Sequence, residues 1–201
     1  MGETQLVGMA QIKVTGSQDT VLTALGLGSC IAICAYDAEK RIAGLAHVVL
    51  PDSGGNSSSP GKFADTAVPL LVRSMTDAGA VASRIRVVLI GGAQLFAGTG
   101  SVPQLEIGSR NAKSVVAILQ RLAIPIAALD IGGFSGRTVH FFANGLVRVK
   151  TIGTGEKELN VLNPGAQPDG RTAVRSAAPV GAGLGAQAAQ PVRGEVRQYH
   201  V

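Results

Sequence analysis

Aromatic side chains are scarce in this 201-residue chain: they make up 3% of it, and tryptophan is absent. That scarcity excludes a platform of stacked aromatics for single-stranded nucleic acid. The core must be built from Val, Ile, Leu and Ala, which a hydrophobic content of 46% supplies. Charge is thin as well, at 15%. The net +5 comes from scattered Lys and Arg rather than the concentrated stripe of a nucleic-acid footprint, so no nucleic-acid partner is expected. Only two cysteines, Cys30 and Cys34, occur. On one strand their Cα atoms would stand about 13 Å apart, too far for a disulfide, so reduced thiols and a cytoplasmic setting are expected. No apolar run reaches the ~18 residues of a membrane helix, and the opening MGETQLVGMAQIKV lacks the regions of a signal peptide. A soluble chain without membrane insertion is the expectation. Three scattered histidines and two cysteines four apart give no metal-ligand spacing. Neither IGG segment (90–92, 131–133) is a phosphate loop, so neither a metal nor an organic cofactor is expected.

What is present alternates between strand and helix patterns. VLTALGLG (21–28), IAICAYD (31–37) and RIAGLAHVVLP (41–51) read as strands, the last stopped by Pro51. DSGGNSSSPGK (52–62) reads as a loop. Ala64, Ala67, Val68, Leu71, Val72 and Met75 recur at helical spacing, with Gly79 placed to close that helix and Pro69 expected to weaken or kink it. RIRVVLIGG (84–92) reads as a buried strand, 110–122 as a second helix and IPIAALDIGG (124–133) as a strand. RTVHFF-ANG-LVRVKTI predicts a hairpin, its Asn144-Gly145 suited to a type I′ turn. After Asn163 the composition turns to Ala, Gly, Pro and Gln without apolar periodicity, so residues 1–163 are expected to form the domain and 164–201 a disordered tail. The fold class is α+β, a mixed α/β sandwich with helices packed on a sheet.

Cys30 stands at the junction of two strand patterns, behind Gly26, Gly28 and Ser29. Small residues there allow a substrate close to the backbone and leave N–H groups of Gly28, Ser29 and Cys30 free to turn towards a developing oxyanion. If Tyr36-Asp37 and Lys40-Arg41 flank a symmetric turn, His47 falls directly opposite Cys30, with Cβ atoms about 4.5–5.5 Å apart. An imidazole at that distance can take the thiol proton and hold a thiolate–imidazolium pair. Cys30 is thus the candidate nucleophile and His47 its acid–base partner. Cys34, one layer along the same face with no histidine opposite it, reads as core.

These residues, together with KFADTAVPLL (62–71), IGGAQLF (90–96), IGSRN (107–111), IPIAALDIGGFSGRTVHF (124–141) and VRVKTI (147–152), resemble the CheD family, the chemoreceptor glutamine deamidases of bacterial and archaeal chemotaxis. The resemblance runs from about residue 5 to 155. It implies a protein-glutamine deamidase, with methyl-ester hydrolysis by the same acyl-enzyme, acting on the cytoplasmic helices of chemotaxis receptors without a cofactor. It also implies Cys30 and His47 as nucleophile and base, a CheC-type phosphatase as a further partner, and a fold related to the catalytic domain of cytotoxic necrotizing factor. The alternative is a chemotaxis adaptor with weakened catalysis. One position departs from the family: a Thr six residues before the nucleophile usually completes a triad, and here that residue is Ala24. Thr23 is the nearest hydroxyl, and it can stand in only if a bulge re-aims it.

Overall fold

In the computed structural model, residues 2–55, 58–94 and 106–163 are described. The tail expected at 164–201 lies outside them. Ten strands and two α-helices occur among the described residues: β1 (Glu3–Leu6), β2 (Ile12–Thr15), β3 (Thr20–Leu27), β4 (Ile31–Asp37), β5 (Ile42–Val48), α1 (Ala64–Asp77), β6 (Arg86–Gly91), α2 (Ile107–Arg121), β7 (Ile126–Ile131), β8 (Arg137–Phe142), β9 (Val147–Thr151) and β10 (Gly155–Leu159). They form two five-stranded sheets, one ordered β1-β3-β8-β9-β10 and the other β2-β5-β4-β6-β7. The class is α+β.

Strand alternation builds three layers. From β4, Ile31, Ile33 and Ala35 join Ala46, Val48, Leu89 and the apolar faces of α1 and α2 in one core. The intervening Ala32, Cys34 and Tyr36 join Leu45, Val88, Leu22, Val139, Phe141 and Val149 in a second core between the sheets. β4 is therefore covered on both faces, which is why IAICAYD is buried along its whole length and reads as a continuous apolar run. The helices cover the outer face of the second sheet. Gly44 lets α1 close on β5, since a Cβ there would meet Leu71 and Met75.

Pro69 sits inside α1 without ending it. It lies on the exposed side, where water can serve the carbonyl left without a donor. α2 begins at Ile107, about a turn earlier than its apolar spacing suggests.

The late hairpin forms with a different turn from the one expected. Gly145 has φ 95°, but Asn144 is not among the residues with positive φ, so the turn is not type I′. The Phe142 N–H donates to the Leu146 carbonyl across a three-residue loop, 143–145, and the Gly145 N–H donates to the Phe142 carbonyl. This is the type I turn plus glycine bulge that a three-residue connection favours.

Candidate active site

β3 reaches the site through a bulge. Its partner sum with β8 changes between Ala24↔Val139 and Leu27↔Arg137, placing the extra residue at Leu25–Gly26 and returning Leu27 to the interior. Gly28, Ser29 and Cys30 then link β3 to β4, and all three carbonyls in that turn are held. Gly28 accepts from the Ala93 N–H at 2.8 Å and Cys30 from the Gly92 N–H at 2.8 Å. Ser29 accepts from Asn111 Nδ2 of α2 at 2.9 Å. Gly91 has φ 118°, and a Cβ on it would strike the Cys30 carbonyl, so only glycine serves there. In a trans peptide the N–H points opposite to the carbonyl before it. Holding the carbonyls of Gly28 and Ser29 therefore sets the directions of the Ser29 and Cys30 amides. Neither of those amides donates to a backbone carbonyl among the described residues.

His47 comes from β5, on the face that looks between the sheets, and is 3% exposed. The hairpin register differs from the symmetric one expected. Asp37 pairs with Ile42 and Ala32 with His47, so Cys30 is not directly opposite the histidine. The Asp37 carboxylate accepts the N–H groups of Glu39 and Lys40, and Arg41 takes φ 54°. Together these close a four-residue loop beyond Asp37 instead of a tight turn centred on 38–39. The shift is two residues, so parity survives. Cys30 and His47 remain on one face as diagonal neighbours, a relation that in a regular ladder spans about 7–8 Å between Cα atoms and stays within reach of long side chains.

Cys34 is the other diagonal neighbour of His47, and burial separates the two thiols. Cys34 is fully buried in the inter-sheet core, whereas Cys30 at the strand end is partly exposed. Burial pushes the Cys34 thiol far above the ordinary range.

The imidazole is oriented from the N-terminal segment. His47 Nδ1 lies 3.1 Å from the Val7 carbonyl. A carbonyl only accepts, so Nδ1 carries the proton and Nε2 is left as the base. Val7 is itself fixed by its N–H donating to the Thr23 carbonyl at 2.7 Å. The His47 N–H donates to Gln11, and the His47 carbonyl accepts from Ala10. Burial lowers the pKa of His47, partly opposed by the bond to Val7. Burial raises that of Cys30, partly opposed by its own backbone N–H. Both shifts favour neutral thiol and neutral imidazole at rest, not the ion pair expected from the sequence.

Thr23 is not brought to this site. Its hydroxyl lies 3.0 Å from His140 Nδ1, on the face of β3 away from Ala24, which packs in the inter-sheet core. The bulge falls after Ala24 and so does not re-aim Thr23. Sequence reasoning missed Val7 and Asn111. Val7 acts through a main-chain atom that carries no residue signature. Asn111 stood in the IGSRN segment without a role. Among the described residues no group of three His, Cys, Asp or Glu could hold a metal ion, and no helix is long and apolar enough to cross a membrane.

Fold and site thus define an α+β protein in which a partly exposed cysteine shares a sheet face with a buried, oriented histidine. The family model described as "CheD chemotactic sensory transduction" matches residues 49–151. A protein of Desulfitobacterium hafniense named "Probable chemoreceptor glutamine deamidase CheD" is 46% identical over 153 residues, covering 75% of this chain and 95% of that one. Proteins of the same name from Symbiobacterium thermophilum and Clostridium botulinum are 45% and 44% identical, each over 96% of its own length and over 77% and 76% of this chain. The chain belongs to the CheD family. A solved structure, protein NMB0706 of Neisseria meningitidis, superposes with a TM-score of 0.40 at 9% identity, over 66% of this chain and 63% of that one, too slight a likeness to bear on fold or function.

Proposed function

We propose that this chain is a cytoplasmic protein-glutamine deamidase that converts glutamines on the helices of chemotaxis receptors to glutamate through a Cys30 acyl-enzyme. Its relatives are named for that activity. The observation that carries the chemistry is the contact of His47 Nδ1 with the Val7 carbonyl: Nδ1–H donates to that oxygen, which leaves Nε2 to serve the thiol on the same face.

The reaction balances without a cofactor. His47 Nε2 takes the Cys30 proton as sulfur bonds to the carboxamide carbon, and the amides of Ser29 and Cys30 receive the oxyanion. His47 returns the proton to nitrogen as the C–N bond breaks and ammonia leaves. Water then attacks the thioester. His47 takes its proton and delivers it to sulfur as the C–S bond breaks, freeing the glutamate. A methyl ester would follow the same course with methanol leaving. The Val7 carbonyl replaces the orienting hydroxyl missing at Ala24, which favours an active enzyme over an adaptor.

The test is mass spectrometry of a recombinant receptor cytoplasmic fragment after incubation with wild type, Cys30→Ala and Cys34→Ala. Conversion of glutamine to glutamate by wild type and Cys34→Ala, and its loss in Cys30→Ala, is the expected result. Equal conversion by Cys30→Ala would remove Cys30 from the mechanism.

A further inference from the structure

Asn111 is fully buried in α2, and its single side-chain nitrogen spans two segments. Nδ2 donates to the Ser29 carbonyl at 2.9 Å and to the Val49 carbonyl at 2.8 Å. Ser29 precedes Cys30, and Val49 follows His47 by two residues. The same amide therefore joins the turn that bears the cysteine to the end of the strand that bears the histidine. Its Oδ1 is buried and has no hydrogen-bond partner among the described residues. A side chain retained only to fill space would not keep a polar atom in that state, because an unmet buried acceptor is destabilising and an apolar residue would fill the volume without it. The first turn of α2 is fitted against the same region: a Cβ on Gly108 would strike the Gly92 carbonyl, and the Gly92 N–H holds Cys30.

We infer that Asn111 is a positioning residue for the deamidation, fixing the Ser29–Cys30 peptide so that the Cys30 amide is held ready for the oxyanion. This rests on the reading of Cys30 as nucleophile. With the Ser29 carbonyl drawn to α2, the trans peptide directs the Cys30 N–H the opposite way, away from that helix. Through Val49 the same bond fixes the spacing between the turn and β5. Loss of Asn111 frees the peptide to rotate and leaves two carbonyls without their donor.

The experiment compares Asn111→Ala and the better space-filling Asn111→Leu, either serving if the other does not fold, with Ser114→Ala. Ser114 lies one turn along α2 and its hydroxyl donates to the Pro51 carbonyl at 2.7 Å, so its loss removes a helix-to-loop bond without touching the Ser29 or Val49 carbonyl. Deamidation of a receptor fragment gives kcat and KM, and alkylation of Cys30 by iodoacetamide without substrate gives a pH profile. Both Asn111 variants should lose about 100-fold in kcat with KM nearly unchanged and alkylate at higher pH than wild type, while Ser114→Ala keeps both properties. Wild-type kcat in a folded Asn111 variant, or equal losses in Ser114→Ala, overturns the inference. If Cys30→Ala deamidates as well as wild type, the functional reading fails separately. The substrate-free alkylation profile then decides the positioning role: a shift confined to the Asn111 variants supports it, and equal profiles overturn it.

Discussion

Two side chains of ordinary intrinsic chemistry, Cys30 and His47, are set against ionisation by the same burial that brings them together. The thiol is shifted up and the imidazole down, so burial disfavours the charged form of each. This has a consequence for pH. A preformed ion pair would keep Cys30 reactive well into the acid range. Here alkylation of Cys30 should instead rise with pH through a value above the ordinary thiol pKa, and Cys34 should stay unlabelled until the protein unfolds. In the proposed mechanism deamidation needs neutral His47, whose pKa lies below its usual value of about 6.5. The acid limb of kcat/KM should therefore fall below that value, and stopped alkylation and deamidation assays across pH check both. A flat labelling profile from pH 5 to 8 would show that the ion pair exists after all.

At the scale of elements, the site is a place where several chain segments end: β4 begins, β5 and β6 finish, and α2 supplies Asn111. Gly91, the last residue of β6, has positive φ and backbone contact with Cys30. Gly91→Ala should lower stability by at least about 2 kcal/mol and abolish deamidation by displacing Cys30, as read by denaturant melts and the mass-spectrometric assay. The elements with a strong apolar pattern were legible in the sequence. IAICAYD spans β4 from end to end, and the spacing from Ala64 to Met75 gives α1. β1, β2 and β10 were not legible. β1, ETQL, and β10, GEKEL, are exposed over most of their length and offer no apolar face, while β2, IKVT, sets Ile12 and Val14 against the helix-side core but over only four residues, too short a run to stand out. For the site, the shared face of Cys30 and His47 was legible because parity tolerates the two-residue shift in register. The register itself depended on the Asp37 bonds and the positive φ of Arg41, neither of which is a composition signal. The Val7 carbonyl could not be read at all, since every residue carries one.

For the molecule as a whole, two cores share the middle sheet, one towards the helices and one towards the other sheet. His47 looks into the second, and His140 is half-buried on the far side of the outer sheet. Burial lowers the pKa of both. A histidine with a depressed folded pKa binds fewer protons in the native than in the unfolded state, so stability increases with pH through that window and is lost as pH falls below about 6.5. The melting temperature should drop between pH 7 and pH 5, and less so in His140→Gln, by differential scanning fluorimetry; an unchanged pH dependence in that variant would mean that its burial is not felt.

The central claim is that the second core ends in a cysteine that becomes covalently acylated. Rapid quenching of the wild-type protein with a receptor fragment, followed by peptide mass spectrometry, tests it most directly. The account predicts a thioester on Cys30, absent from Cys34 and from the Cys30→Ala protein. Glutamate appearing at full rate with no adduct on Cys30 at any quench time would contradict it.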